Sequence, residues 1–285
     1  MLKRQTCAAL AIALSAGALG GCSSDSPKTS SSQTSTGSPT TTTTTTSTTS
    51  PAASGQLPQG DAPVQLDPAD FTTDIDNPYW PMAPGTRWTY RETDGEGGEA
   101  KVVVIVTDLT KKIANGITAR VVRDTVTEDG EIVEDTNDWY AQDNDGNIWY
   151  LGEDTAEFEG GKVSSRAGSF EAGVDGALPG IVIPAAPQPG MEYRQEFYKG
   201  EAEDSGRVLS TDDLAEVPAG KYRDALLTKD FTPLEPDVLE YKLYAKGVGP
   251  VLILTASGGA GREELLSMDK VTGSEGTGPL GNPNP

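Results

Sequence analysis

The side chains of this 285-residue chain that are equipped for chemistry are almost all carboxyls: 43 Asp and Glu stand against 22 Lys and Arg, with no histidine and a formal net charge of −21. The cysteines are Cys7 and Cys22. Without histidine there is no Ser-His-Asp or Cys-His catalysis, and no zinc site of the usual His/Cys type. Carboxyls alone can hold a hard cation through oxygen, or act in pairs on glycosides. A body this acidic is repelled by nucleic acid and by anionic lipid headgroups.

Positions for these acids follow from three turn dipeptides, Asn115-Gly116, Asp129-Gly130 and Asp145-Gly146, each between runs rich in β-branched residues. Closing every hairpin on a two-residue loop sets Asp108 opposite Arg123, Asp124 opposite Asp135, Arg120 opposite Trp139 and Asn137 opposite Asp154. One face then carries Val106, Asp108, Arg123, Thr125, Glu134, Thr136, Asp138 and Glu153, and is expected to meet solvent. The other carries Ile105, Leu109, Ile113, Val122, Val126, Val133, Trp139 and Tyr150, and is expected to meet the core. That core face also holds Lys111, Arg120, Asp124, Asp135, Asn137 and Asp154. A carboxylate facing a core needs a partner, a raised pKa or water. Three readings stay open. Lys111 and Arg120 neutralise the acids in a structural network; or Asp124, Asp135, Asn137 and Asp154 hold Ca²⁺; or the face is a wet pocket in which Arg120, Trp139, Tyr150 and Lys111 bind a ligand. A β-bulge would shift one strand and dissolve the cluster. The run Asp143-Asn144-Asp145-Gly146-Asn147 looks like a calcium loop, but Ile148 stands where an EF-hand needs glycine, so it reads as a turn.

The elements that must position these residues are strands. Beyond the meander, strands are expected at Thr86–Thr93, Met191–Lys199, Gly206–Ser210, Tyr222–Phe231, Val238–Lys246, Pro250–Ala256 and Glu264–Lys270. Short helices are expected at Pro68–Phe71 or Asp212–Ala215, and a surface loop at Gly173–Pro189. The fold class is all-β, an antiparallel meander curved into a sheet, half-barrel or barrel. This single β domain takes 57–272, with a disordered Gly/Pro-rich tail at 273–285.

The N-terminus supplies the address. Lys3 and Arg4 precede an apolar stretch from Cys7 to Leu19, too short to span a bilayer, and then Leu19-Gly20-Gly21-Cys22. This resembles the lipobox of bacterial lipoproteins. The resemblance implies that 1–21 is a cleaved signal peptide and that Cys22 is acylated, leaving the protein anchored to membrane lipid on the extracytoplasmic face. Residues 22–56, nearly all Ser, Thr, Pro, Gly and Ala, form a disordered stalk. Cys7 leaves with the signal and Cys22 is consumed by lipid, so no disulfide is expected.

In the body, Pro84-Gly85-Thr86-Arg87-Trp88-Thr89-Tyr90 and Tyr241–Val251, together with Arg123–Gln142, are similar to uncharacterised exported β proteins whose half-barrel resembles the bacterial lipoprotein carriers. That resemblance implies a concave sheet cradling a ligand. The expected function is a non-enzymatic binding module for a small or lipophilic ligand, with no cofactor unless the Ca²⁺ reading holds. The alternatives are a structural or interaction protein of the envelope, and a carboxylate-only hydrolase.

Overall fold

Strict alternation sets the inside and the outside of this sheet. In the strand Thr86–Thr93 every second residue, Thr86, Trp88, Tyr90 and Glu92, is buried. The intervening Arg87 and Arg91 reach Asp269 and Glu264 on the outer surface, each at 2.9 Å. A period of two with one face covered is what a half-buried strand requires.

The structure is a computed structural model that describes residues 57–283. The expected signal peptide 1–21, Cys22 and the stalk 22–56 lie outside the described residues. In chain order the strands are β1 (Phe71–Thr72), β2 (Thr86–Thr93), β3 (Glu99–Lys112), β4 (Thr118–Glu128), β5 (Glu131–Asp143), β6 (Ile148–Glu159), β7 (Lys162–Ser165), β8 (Phe170–Glu171), β9 (Leu178–Ile183), β10 (Glu192–Arg194), β11 (Glu196–Phe197), β12 (Ser205–Val217), β13 (Gly220–Phe231), β14 (Leu239–Ala245), β15 (Gly249–Ser257) and β16 (Arg262–Lys270). They form one antiparallel sheet in the order β10-β12-β13-β14-β15-β16-β2-β3-β4-β5-β6-β9-β11, with β1 on β5, and β7 and β8 on β6. The first and last strands of this path, β10 and β11, are separated in sequence by Gln195 alone. The sheet therefore curls back on itself into a nearly closed barrel. Across the seam the Arg194 guanidinium donates to the Pro179 carbonyl from Nε at 3.1 Å and from Nη2 at 2.8 Å. Gly180 must be glycine here, because a Cβ would run into the backbone of Arg194 and Gln195.

One end of the barrel is plugged by the chain before β2. The Trp80 ring sits 5.4 Å from Tyr140 and 6.0 Å from Tyr244. Gly247 N donates to the Pro78 carbonyl, and Asn77 Nδ2 to that of Gly146. Gly249 is fixed by two demands at once: its φ is +110°, and a Cβ would lie 2.7 Å from the Trp80 ring. The bend at Gly247-Val248-Gly249, between β14 and β15, is the turn that makes room for this plug. The opposite end carries the hairpin loops at Asp94–Gly98, Asp129-Gly130 and Gly258–Gly261.

Three expectations change. The loop expected at Gly173–Pro189 contains β9, the strand that carries the seam; its Gly-Pro content hid an apolar run, Ile181-Val182-Ile183, that is buried throughout. The helix expected at Asp212–Ala215 is part of β12, leaving the 3₁₀ turn Pro68–Asp70, capped by Asp67, as the helical element among the described residues. The tail expected to be disordered at 273–285 is, through Pro283, laid along the outside of β3, β4 and β5. Asp108 N donates to the Gly273 carbonyl at 2.7 Å, and Gly281 N to Asp135 Oδ2 at 2.7 Å. Its glycines fit closely against the sheet, where side chains would not: a Cβ on Gly276 would press on Arg123.

Candidate functional site

Bulges decide which carboxyls face inward. At Asp129-Gly130 the turn pairs Glu128 with Glu131 and Thr127 with Ile132, as the two-residue loop requires. Val133 is then bulged, and from there Val126 faces Glu134, Asp124 faces Thr136 and Thr125 faces Asp135. A one-residue slip sends every later side chain to the other face. At Asn115-Gly116 the loop is longer than two residues, and a second irregularity beyond Val106 leaves Arg123 opposite Ile105, so Asp108 does not face Arg123. The pairs Asn137–Asp154 and Asp138–Glu153 stand as expected, restored by a bulge beside Trp139.

The expected ligand and metal sets are therefore divided. Asp135 lies on the outer side, buried under the C-terminal segment, with Arg123 at 2.5 Å through both Nε and Nη2. Asn137 accepts from the same guanidinium at 3.1 Å. Asp154 is exposed and pairs with Arg166 at 2.6 Å. Asp124 alone of the four points into the barrel. These residues do not fit a calcium ion, since their oxygens are on opposite sides of the sheet, and among the described residues no three Asp, Glu, His or Cys side chains are placed to share a metal. Of the ligand set, Trp139 is on the outer side with the Lys111 ammonium 4.4 Å above its ring, and Lys111 also meets Glu171 at 3.0 Å. Arg120 is spent on the carbonyls of Thr73, Thr107 and Asp108 and the Thr73 hydroxyl. Tyr150 is inside. The face expected to meet solvent through Glu134, Thr136, Asp138 and Glu153 is the inner face of β5 and β6.

What the interior does bring together is a lining of carboxyls below the aromatic plug. Phe170, Tyr150, Tyr140, Trp80 and Tyr244 follow one another across the barrel at ring separations of 5.0–6.0 Å. The Tyr150 hydroxyl lies 2.8 Å from Asp138 and 2.7 Å from Glu153, which are directly opposed on β5 and β6. One phenol has one proton to donate, so the second carboxyl must keep its own and donate to the phenol oxygen. Burial pushes both carboxyls above the usual range, and the charge of Asp138 adds to the effect on Glu153. On the other wall Asp230 and Glu240, opposed on β13 and β14, share the Lys242 ammonium at 3.0 Å and 3.8 Å. Burial works against the charge on Lys242, but Asp230 and Glu240 outweigh it and raise its pKa. Near them, burial pushes Asp204 up to about 8 and raises Glu196, whose Oε1 has no hydrogen-bond partner.

The third group has no such compensation. Glu92 and Glu263 are directly opposed on β2 and β16, 8 % and 4 % exposed. Asp124 on β4 is 3 % exposed, and neither of its oxygens has a hydrogen-bond partner; Glu263 Oε1 has none either. Burial, then the neighbouring charge of Glu240, pushes Glu92 up to about 8. Burial, with Asp138 and Glu263, raises Asp124 well above the usual range, and burial with Glu92 does the same to Glu263. Half-buried Glu134 is pushed up to about 8 by burial and by Glu157 opposite it. A small cavity lined by Trp80, Tyr140, Gln195, Lys242 and Tyr244 adjoins this lining and has room for about one water. Trp80 Nε1 and Gln195 Oε1, which have no protein partner, can donate to and accept from a water held there.

Glu92, Glu263, Glu240 and Lys242 were not singled out from the sequence. Their signal was phase: Glu92 keeps step with Trp88 and Tyr90, and Glu240 and Lys242 keep step with Tyr244, the alternation of an inward face.

No protein-family model matches the chain, and no curated protein matches it. Among solved structures it is similar to a Bacteroides fragilis protein named as exported, with a YmcC-like fold, at 17 % identity and a TM-score of 0.42 over 67 % of this chain and 99 % of that one. A Parabacteroides distasonis protein named as a lipoprotein aligns at 12 % identity and a TM-score of 0.36, over 67 % and 98 %. A Brucella abortus β-barrel-like protein from a domain of unknown function aligns at 14 % identity and a TM-score of 0.34, over 66 % and 98 %.

Proposed function

We propose that the chain is a non-enzymatic, extracytoplasmic binding barrel, held to the membrane by acylated Cys22 through the stalk 22–56, which takes a small polar ligand at its acid-lined interior. The observation that carries this is Asp124. Native chains seldom bury a carboxyl with neither oxygen paired, and where one does occur it calls for a functional explanation. The ligand is polar rather than lipophilic, because an acyl chain gains nothing from a wall of carboxyls and the cavity beside them is the size of a water. No hydrolysis is proposed, since Asp138 and Glu153 are buried and tied to Tyr150 rather than facing a cleft. A second reading, a structural envelope protein without a ligand, is favoured by the filled aromatic end of the barrel.

Native mass spectrometry of protein extracted from its own membrane separates the two. The expected spectrum shows acyl mass on Cys22 and a non-covalent polar adduct that is lost on activation. An acylated protein with no adduct, or with a lipid in its place, overturns the binding reading. A mature protein without acyl mass overturns the anchor.

A further inference from the structure

The side chains of Lys242 and Asp230 are 8 % and 7 % exposed, and Lys242 Nζ lies 3.0 Å from Asp230 Oδ2. They stand on neighbouring strands, β14 and β13, where Asp230 faces Glu240 and Thr228 faces Lys242. Glu240 Oε2 is 3.8 Å from the same Nζ. An amine, an acyl carbon and a second carboxyl are thus held together away from bulk water. Those are a nucleophile, its acceptor and a proton carrier, the parts from which an amide between side chains is made. The two oxygens of Asp230 have separate partners. Thr228 Oγ1 donates to Oδ1 at 3.0 Å, and Gln195 Nε2 donates to Oδ2 at 3.1 Å. Gln195 and Lys242 also line the small cavity, which has room for about one water.

We propose that Lys242 Nζ and Asp230 Cγ join in an intramolecular isopeptide bond, with Glu240 carrying a proton for the step. The ammonium first gives one proton to Asp230 Oδ2 across their contact, which leaves a neutral amine beside a carboxylic acid. The amine attacks Cγ, and Glu240 takes a second proton from the nitrogen and passes it to Oδ2. The Cγ–Oδ2 bond then breaks. Oδ2 leaves as one water with the two ammonium protons, one N–H stays on the new amide, and Glu240 returns to its starting state. Oδ1 bears the negative charge of the tetrahedral intermediate against the Thr228 hydroxyl, and remains as the amide carbonyl. The water has the adjoining cavity to enter, where Trp80 Nε1 and Gln195 Oε1 lack protein partners. Neither an oxidant nor a cofactor takes part.

Burial disfavours both charges of the ion pair, and the amide carries none, so the bond removes the cost of keeping two charges from water. Until it forms, Asp230 and Glu240 hold the lysine in its charged form, so attack proceeds from a minor state and is slow. Residues 57–283 contain no cysteine, so no disulfide can tie these strands. The inference is independent of whether the barrel takes a ligand.

The test is a tryptic digest of the mature protein, extracted from its own membrane and incubated overnight at about pH 8. Trypsin cuts after Lys229, Lys242 and Lys246, so an unlinked chain gives peptides 230–242 and 243–246. An amide on Lys242 blocks the middle cut. The expected product is a single peptide, 230–246, lighter than its sequence mass by one water, with fragmentation placing the link between Asp230 and Lys242. It should be absent from D230A, and its yield should fall about tenfold or more in E240Q, which keeps the shape of Glu240 without its basicity. Separate peptides from the wild-type protein, a 230–246 peptide of full sequence mass, or a link placed at another residue overturns the assignment. An equal yield in E240Q overturns the role given to Glu240. Should D230A fail to fold, the wild-type digest and the isosteric E240Q decide without it.

Discussion

Tyr150 carries more of the interior than its size suggests. Its hydroxyl is what allows Asp138 and Glu153 to face each other at hydrogen-bond distance from one atom. Y150F removes that bridge and leaves two buried carboxyls without their shared partner. The expected cost is about 1–3 kcal/mol, read from the urea midpoint at neutral pH, and an unchanged midpoint would show the bridge to be idle. On the outer side, Arg123 has all five of its N–H groups placed: two on Asp135, one on Asn137, and one each on the carbonyls of Gly278 and Pro279. D135A strands that guanidinium in a covered site. It should destabilise by about 3–5 kcal/mol, far more than D154A at the exposed pair with Arg166, where less than about 1 kcal/mol is expected. Equilibrium unfolding of the two variants side by side decides whether burial sets the difference.

At the scale of elements, the C-terminal segment acts as a strap rather than a tail. It supplies two carbonyls to Arg123 and one N–H to Asp135, and its glycines lie flat where side chains would clash. Truncation after Ser274 exposes the pair to water, which replaces part of what is lost, so a loss of about 1–3 kcal/mol is expected with the barrel intact. Amide exchange in β4 and β5 would then speed up, while that in β13 and β14 would not. A uniform change across all strands would show that the strap holds the whole barrel and not one wall. The plug at the other end is a packing element. W80A removes a ring in contact with Tyr140 and Tyr244 and should cost about 3–5 kcal/mol by thermal unfolding.

For the molecule as a whole, interior acids set the direction of its pH dependence. In the folded chain Glu92 and Glu134 hold their protons up to about 8, against 4.5 for an ordinary Glu. Between those values the native state binds more protons than the unfolded chain. Stability is then greatest at the acid end of that window and falls as pH rises through it. Urea midpoints should decline from about pH 5 to about pH 8, and E92Q should flatten the decline. A wild-type midpoint that rises over this range would place the titrating groups elsewhere. No helix among the described residues is long and apolar enough to cross a membrane. The outward positions of β2 carry arginines paired to acids.

The strands of the meander, the hairpin turns and the all-β class were legible in the sequence, because β-branched runs and Asn-Gly or Asp-Gly turns are local signals. The lack of histidine excluded whole chemistries without any structure. The presence of Asp124 and Tyr150 among inward residues was legible too, while their companions were misassigned. Val133 is the reason: a single bulged residue reverses inside and outside for Glu134, Asp135, Asn137 and Asp138, and nothing in its own side chain announces it. Likewise, no local pattern in Glu92, Glu240, Lys242 or Glu263 shows that β2, β14 and β16 line one interior, because that depends on the sheet curling until β10 and β11 meet around Gln195. Sequence by itself determined which chemistry the chain has to work with, carboxyls and aromatics. Tertiary structure alone decided which carboxyls share a wall, because register and closure are set by contacts between residues distant in the chain.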